Sequence, residues 1–201
     1  MTTDVLAGSP RVRARHARRR AEILHAALAA FRQNGYHTTT LDDIASRLGI
    51  RNTALYHYFP DKEAILYACH QESLAELERI LDESEHVDHT ARARLAFLVR
   101  EHVRVMIDTL EGSPLAFEVS ALSPQHQAEV IRRRDRYERA IRELVADGIG
   151  AGEFRTVDPK TATFAILGAI NWIARWYRPG GGLNASRLGQ DFAEHLVGGL
   201  T

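Results

Sequence analysis

The chain has 201 residues, 45% apolar and 26% charged, with a formal net charge of zero, a composition that excludes a disordered polypeptide. The length suits one ordinary domain, or a small one joined to a larger one. A single cysteine, Cys69, excludes an intramolecular disulfide and fits a reducing compartment. The charge is unevenly spread, with ten Lys/Arg against five Asp/Glu in residues 1–62 and 16 against 21 in the remainder. A basic first third on an acidic body suggests a polyanion-facing module joined to a part that does not bind nucleic acid. No apolar run of signal-peptide type follows the basic N-terminus, and the apolar stretch 164–173 is too short to span a bilayer. A cytoplasmic protein without membrane contact is expected.

Helical periodicity is almost continuous, and no β-period alternation of useful length occurs. Ile23, Leu24, Ala27, Leu28 and Phe31 form one stripe that ends at Asn34-Gly35, a helix-stop pair. Leu41, Ile44, Ala45 and Leu48 mark a short second helix, with Thr40 as N-cap, Asp43 three residues later and Gly49 as terminator. A third short helix is predicted over 52–59, where Pro60 disfavours helix at the residue before it. Asp61 can cap a long fourth helix carrying Ala64, Ile65, Ala68, Leu74, Leu77 and Leu81.

Beyond 85–88 the pattern restarts with Leu95, Leu98, His102, Val105 and Met106 on one side, and Gly112-Ser113-Pro114 breaks it. A short apolar piece, 115–122, precedes Ser123-Pro124, an N-cap followed by proline at the first helical position. The helix from 124 to about 149 is highly charged but keeps Val130, Tyr137, Ile141, Leu144 and Val145 in one stripe. Asp158-Pro159 repeats the start signal for a helix over 161–177, and Pro179-Gly180-Gly181-Gly182 separates it from a last helix over 184–197. About nine helices and no strands predict an all-α fold, with a small unit over 1–62 and a larger bundle over 63–201.

Three short helices with a tight turn at Gly49-Ile50-Arg51 describe a helix-turn-helix. Its last helix should anchor inward on one face and meet DNA on the other. Leu55, Tyr58 and Phe59 fall at i, i+3, i+4 and form the inward set. Thr53, Tyr56 and His57 form the outward set, with Arg51 and Asn52 at the tip, and these polar groups suit phosphates and base edges. A short surface helix with amphipathic aromatics is the plainer reading.

The run TTTLDDIASRLGIRNTALYHYFPDKEAIL, 38–66, preceded by AALAAFRQNGY, 26–36, resembles the TetR family of transcriptional repressors. The resemblance implies a ligand-responsive repressor, not an enzyme, that binds a palindromic double-stranded operator as a homodimer. It also implies that the bundle binds a small molecule and dimerises. Carried over position by position, phosphate contacts fall on Thr40, Tyr56, His57 and Lys62, and base reading falls on Arg51, Asn52 and Thr53. The family's commonest pattern has a small hydroxyl residue where Arg51 stands. This arginine suits either a guanine edge or a phosphate. Asn52 either caps the helix or reads a base. The arm RVRARHARRR, 11–20, either follows DNA electrostatically or is a frayed, solvated tail.

In the bundle, the last two helices offer small apolar residues for a dimer face: Ala165, Ile166, Ala169, Ile170, Ile173, Phe192 and Leu196, each of which equally suits the intramolecular core. The segment ILGAINWIARWYRPGGGL, 166–183, is similar to the corresponding part of family members that regulate lipid or sterol breakdown and sense acyl-CoA thioesters. That similarity implies an effector lining of Phe97, Met106, Phe117, Tyr137, Asn171, Trp172 and Trp176, with Arg175 and Arg178 toward phosphates. Asn171 equally suits a buried backbone contact. The run RRRDR, 132–136, reads as a solvated helix face, with an anion-binding patch as the sharper option. The sequence calls for no cofactor and no metal. HExxH, CxxC and a phosphate loop are all missing from it, which sets an enzyme aside. A repressor of efflux or detoxification genes sensing a hydrophobic drug, and an architectural DNA binder without ligand control, are the other readings.

Overall fold

The computed structural model describes residues 10–87, 89–110 and 112–201. Among them are eight α-helices and no strand: α1 Pro10–Asn34, α2 Leu41–Arg47, α3 Asn52–Leu55, α4 Lys62–Ser84, α5 Ala91–Arg104, α6 Pro124–Gly150, α7 Pro159–Trp176 and α8 Ala185–Gly198. The chain divides into two compact units, 1–65 and 66–201. The ninth predicted helix is replaced by two short 3-10 turns, Pro114–Phe117 and Val119–Ala121.

In the first unit, α1 begins at Pro10, well before its apolar stripe. Residues 11–20 are therefore helical and mostly exposed rather than a frayed tail. Arginine and alanine are strong helix formers, which carries the helix where no core contact exists. Further along, Ile23, Leu24, Ala27, Leu28, Ala30 and Phe31 are buried. Thr40 and Asp43 form a reciprocal capping box at the start of α2. Its end is a Schellman turn, in which Ile50 N–H bonds to Ala45 O and Gly49 N–H to Ser46 O. Gly49 has φ 62°, a left-handed conformation that glycine adopts without a Cβ penalty.

Helix α3 is shorter than the predicted 52–59. Only Asn52–Leu55 is regular, and Tyr56–Tyr58 form a looser turn ahead of Pro60. Asp61 accepts from Ala64 N–H at 2.7 Å and caps α4.

In the second unit, α8 packs closely along α5, burying Leu188, Gly189, Ala193 and Val197. A Cβ on Gly189 would stand 2.9 Å from the Arg100 carbonyl oxygen, so the approach depends on the missing side chain. Ser123, Asp158 and Asn184 cap α6, α7 and α8 through their side chains. Helix α5 continues into a π turn, Val105–Thr109, which buries Val105, Met106 and Ile107. Gly112 N–H then bonds to Met106 O at 2.9 Å, and the chain leaves the helix. Gly189→Leu should cost about 1–3 kcal/mol through overpacking at the α5–α8 contact, read as a lowered urea midpoint with unchanged helical content.

Candidate DNA interface and effector cavity

In the first unit, Leu55 and Phe59 are 0% and 2% exposed, while Arg51, Thr53, Tyr56 and His57 all face solvent. Tyr58, expected inward, is half-buried at the edge. It stacks on His16 with centroids 4.8 Å apart, and its carbonyl accepts from Arg20 at 3.4 Å. The Arg20 guanidinium lies 4.2 Å from the centroid of the Phe59 ring, so α1 holds the end of the α3 segment with a cation as well as apolar contact.

Arg51 occupies the N-cap position of α3 without a side-chain cap bond, and Asn52 is the first helical residue rather than the cap. The Asn52 Oδ1 is buried and has no hydrogen-bond partner. The Thr40 hydroxyl is engaged in the capping box, accepting from Asp43 N–H at 3.1 Å and donating to Asp43 Oδ2 at 2.8 Å. The Thr40 backbone N–H and hydroxyl hold the Asp43 carboxyl below its usual range.

Lys62 does not stand free as a phosphate contact. Its Nζ donates to the carbonyls of Tyr36 at 2.7 Å, His37 at 3.2 Å and Thr39 at 2.8 Å, using all three ammonium protons. It also lies 4.4 Å from the Tyr36 ring centroid, and burial lowers its pKa. The first residue of α4 thus closes the turn between α1 and α2.

The second unit contains a cavity of about 370 Å³. Four helices and the π turn wall it: His70, Ser73, Leu74 and Leu77 from α4, His102, Met106 and Leu110 from α5 and its extension, Arg134, Asp135, Tyr137 and Glu138 from α6, and Phe164, Leu167, Gly168 and Asn171 from α7, with Leu115 besides. Of the expected lining, Met106, Tyr137 and Asn171 are present.

The other expected lining residues lie elsewhere. Phe97 is half-buried on α5 away from the cavity, Trp172 is 59% exposed, and Trp176 stacks on Phe192. Phe117 is exposed with Arg175 over its ring at 4.7 Å, and Arg178 donates to the Tyr177 carbonyl. The reason is helical phase: on α7 the cavity stripe is 164, 167, 168 and 171, whereas 165, 169, 172 and 176 form the neighbouring outer stripe. Of the residues expected at a dimer face, Ile166, Ile170 and Ile173 are buried within the single chain. Ala165 is exposed, and Ala169, Phe192 and Leu196 are half-buried.

The cavity's polar wall was missed in the sequence. His70, Ser73 and His102 are buried, and burial holds the imidazoles neutral, lowering His70 to about 3 and His102 to about 4, with the Arg134 charge adding to both. Burial raises the Tyr137 phenol, which shares a hydrogen bond with His102 Nδ1 at 3.4 Å. The 132–136 run is likewise more than a solvated face. Arg133 grips Glu78 bidentately at 2.8 and 2.7 Å and also reaches Gln71, while Tyr67 and Gln71 both donate to Glu129. These polar bonds join α4 to α6 along the cavity's flank.

Residues 23–69 match the family described as bacterial regulatory proteins, tetR family, and residues 88–200 match the tetracyclin repressor-like C-terminal domain. The chain belongs to the TetR family. The HTH-type transcriptional repressor KstR2 of Mycobacterium tuberculosis is 30% identical over 193 residues, spanning 91% of this chain and 93% of that protein. The solved structure of that ketosteroid transcriptional regulator matches with a TM-score of 0.83 at 27% identity, over 91% of this chain and 95% of the other. PfmR, a TetR-family regulator from Thermus thermophilus, matches with a TM-score of 0.78 at 30% identity, over 89% and 98%. The fatty acid metabolism regulator protein of Bacillus subtilis is 24% identical over 184 residues, spanning 89% and 94%. TetR-family membership makes the chain a transcriptional regulator rather than an enzyme.

Two outcomes follow for this TetR-family chain. Lys62→Met should lower the stability of the first unit by about 1–2 kcal/mol, because three carbonyls lose a charged donor, and unfolding followed by circular dichroism checks it. The depressed imidazoles of His70 and His102 contribute stability that is fully present above about pH 6.5 and is lost as the pH falls through about 4 and then about 3. Thermal midpoints between pH 7 and pH 4 should therefore fall less steeply in His70→Leu and His102→Leu than in the parent.

Proposed function

We propose that the protein is a transcriptional repressor that binds a palindromic operator as a homodimer and is released by a hydrophobic or acyl-CoA-type effector held in the second unit. The observation that carries the DNA reading is the division of the α3 segment. Leu55 and Phe59 are buried, and Arg51, Thr53, Tyr56 and His57 are left exposed side by side. Tyr56 and His57 are phosphate contacts, and Arg51 and Thr53 face base edges. Asn52 stands at the tip beside them and reaches a base by turning its buried, unpartnered amide oxygen outward. Thr40 contributes through the exposed start of α2 rather than through a free hydroxyl. Lys62 acts indirectly, by fixing the turn that precedes α2.

The outer stripe of α7 supports the dimer. Ala165 and Ala169 allow close approach, Trp172 and Trp176 are exposed beside them, and Trp176 stacks on Phe192 of α8. Exposed aromatic surface of this kind marks an interaction face. For the effector, support comes from a cavity of drug-like size, apolar at Leu74, Leu77, Met106, Leu110 and Phe164. Its relatives are named for ketosteroid and fatty acid regulation, which favours a lipid-derived molecule. An effector touching α4 needs only to prefer a conformation with weaker operator affinity, and operator binding then weakens effector binding by the same factor.

An operator selected from random duplexes supplies the test. Tyr56→Ala should weaken its binding about tenfold at physiological salt, the order of magnitude of one lost phosphate or base contact, while the melting temperature is unchanged. Equal affinity for parent and variant would sink the assignment of this face to DNA.

A further inference from the structure

His70 is 1% exposed, stands in the cavity wall on α4, and has a buried Nε2 without a hydrogen-bond partner. Its tautomer follows from its neighbour. Arg134 Nη2 lies 3.5 Å from His70 Nδ1, and a guanidinium only donates, so Nδ1 is the acceptor and the ring proton sits on Nε2. The wall therefore stores an unused N–H donor, an uncommon state because a buried unpaired polar group is costly. Charge decides what it is for. Among the described residues the same wall carries one cation, Arg134, but two carboxylates, the exposed Asp135 and Glu138, whose buried Oε1 has no hydrogen bond and is ion-paired with Arg142 Nε at 3.8 Å. An additional anion in the cavity would face both carboxylates; an uncharged oxygen would not.

We infer that His70 is the recognition residue for a neutral carbonyl on the effector, a ketone, ester or thioester oxygen, which accepts a hydrogen bond from Nε2–H once the imidazole turns toward the cavity. The apolar body of the effector lies along Leu74, Leu77, Met106 and Leu110. This inference rests on the cavity being the effector site. Because His70 belongs to α4, the ligand's one directional contact is made to the helix whose first residue, Lys62, holds the α1–α2 turn. Before the ligand binds, the bond donated by Arg134 keeps the proton on Nε2, and the turn of the imidazole releases that bond.

Isothermal titration of the full-length protein with three matched probes tests it: the thioester S-ethyl decanethioate, its thioether analogue decyl ethyl sulfide, and decanoate. The thioester should bind about tenfold more tightly than the thioether, the worth of one buried hydrogen bond, and more tightly than decanoate. His70→Phe should bring the thioester-to-thioether ratio near one, and His70→Gln, which keeps a donor, should restore part of it. In the parent protein, nitrogen-15 histidine spectra should show the Nε2 proton moving downfield with the thioester only, a readout independent of how the variants fold. Equal binding of thioester and thioether, or tighter binding of decanoate, would overturn the carbonyl assignment and leave the cavity as the effector site. Gly168 has open space around its Cβ position, so Gly168→Trp should fold and block the cavity. Thioester binding undiminished in that variant, or no binding of any probe to the parent, would overturn the cavity reading and the carbonyl assignment together.

Discussion

A four-residue helix has no stability of its own, since nucleating a turn fixes more dihedrals than its hydrogen bonds return. The orientation of α3 therefore depends on two buried side chains, Leu55 and Phe59. Everything outward on the segment inherits its direction from that pair. The supporting contacts hold both ends of the segment, with Arg20 over Phe59 and His16 on Tyr58 at one and the Schellman turn that delivers the chain to Arg51 at the other. Lys62 completes the arrangement from the far side by gathering three carbonyls of the α1–α2 turn onto one ammonium group. A rigid presentation of Arg51, Thr53, Tyr56 and His57 is what DNA recognition requires of so small an element.

The second unit solves a different problem, that of keeping a cavity open among packed helices. Protein interiors close up to crystal-like density unless something holds their walls apart. Along the α4–α6 flank that support is polar: the Arg133–Glu78 fork and the Tyr67 and Gln71 bonds to Glu129 fix helix separation by hydrogen-bond length rather than by apolar volume. Apolar residues can then line the space without filling it. Directional bonds also have discrete alternatives, which suits a helix pair that must adopt two arrangements.

Much of this was legible from the residues. Caps and stops carried strong local signals, so Thr40-Asp43, Asp61, Ser123-Pro124, Asp158-Pro159 and Asn184 marked helix starts that the structure shares. The division of the α3 segment followed from i, i+3, i+4 spacing alone. The start of α1 did not, because residues 11–20 have no apolar stripe and are helical by propensity. The expected lining residues other than Met106, Tyr137 and Asn171 fell off the cavity for a related reason. Periodicity says that Trp172 and Ile173 lie on different faces of α7, but not which face meets a neighbour, a cavity or solvent. His70 gave no signal at all, His102 showed only as one position of an apolar stripe and Arg134 only as part of a charged run, since polar residues on charged helices look solvated until tertiary packing covers them.

The π turn at Val105–Thr109 gives the cavity an unusual dependence on chain length. A π turn amounts to one residue inserted into an α-helix, and it places Met106 and Leu110 on the wall by widening the backbone rather than by choice of side chain. Removing a single residue there would let α5 run on as regular helix and take away the widened turn that carries Met106 and Leu110. The shape of the cavity can thus be rewritten by a one-codon deletion that alters no lining residue. Among related regulators with similar folds and different effectors, length changes at this point would be as informative as substitutions.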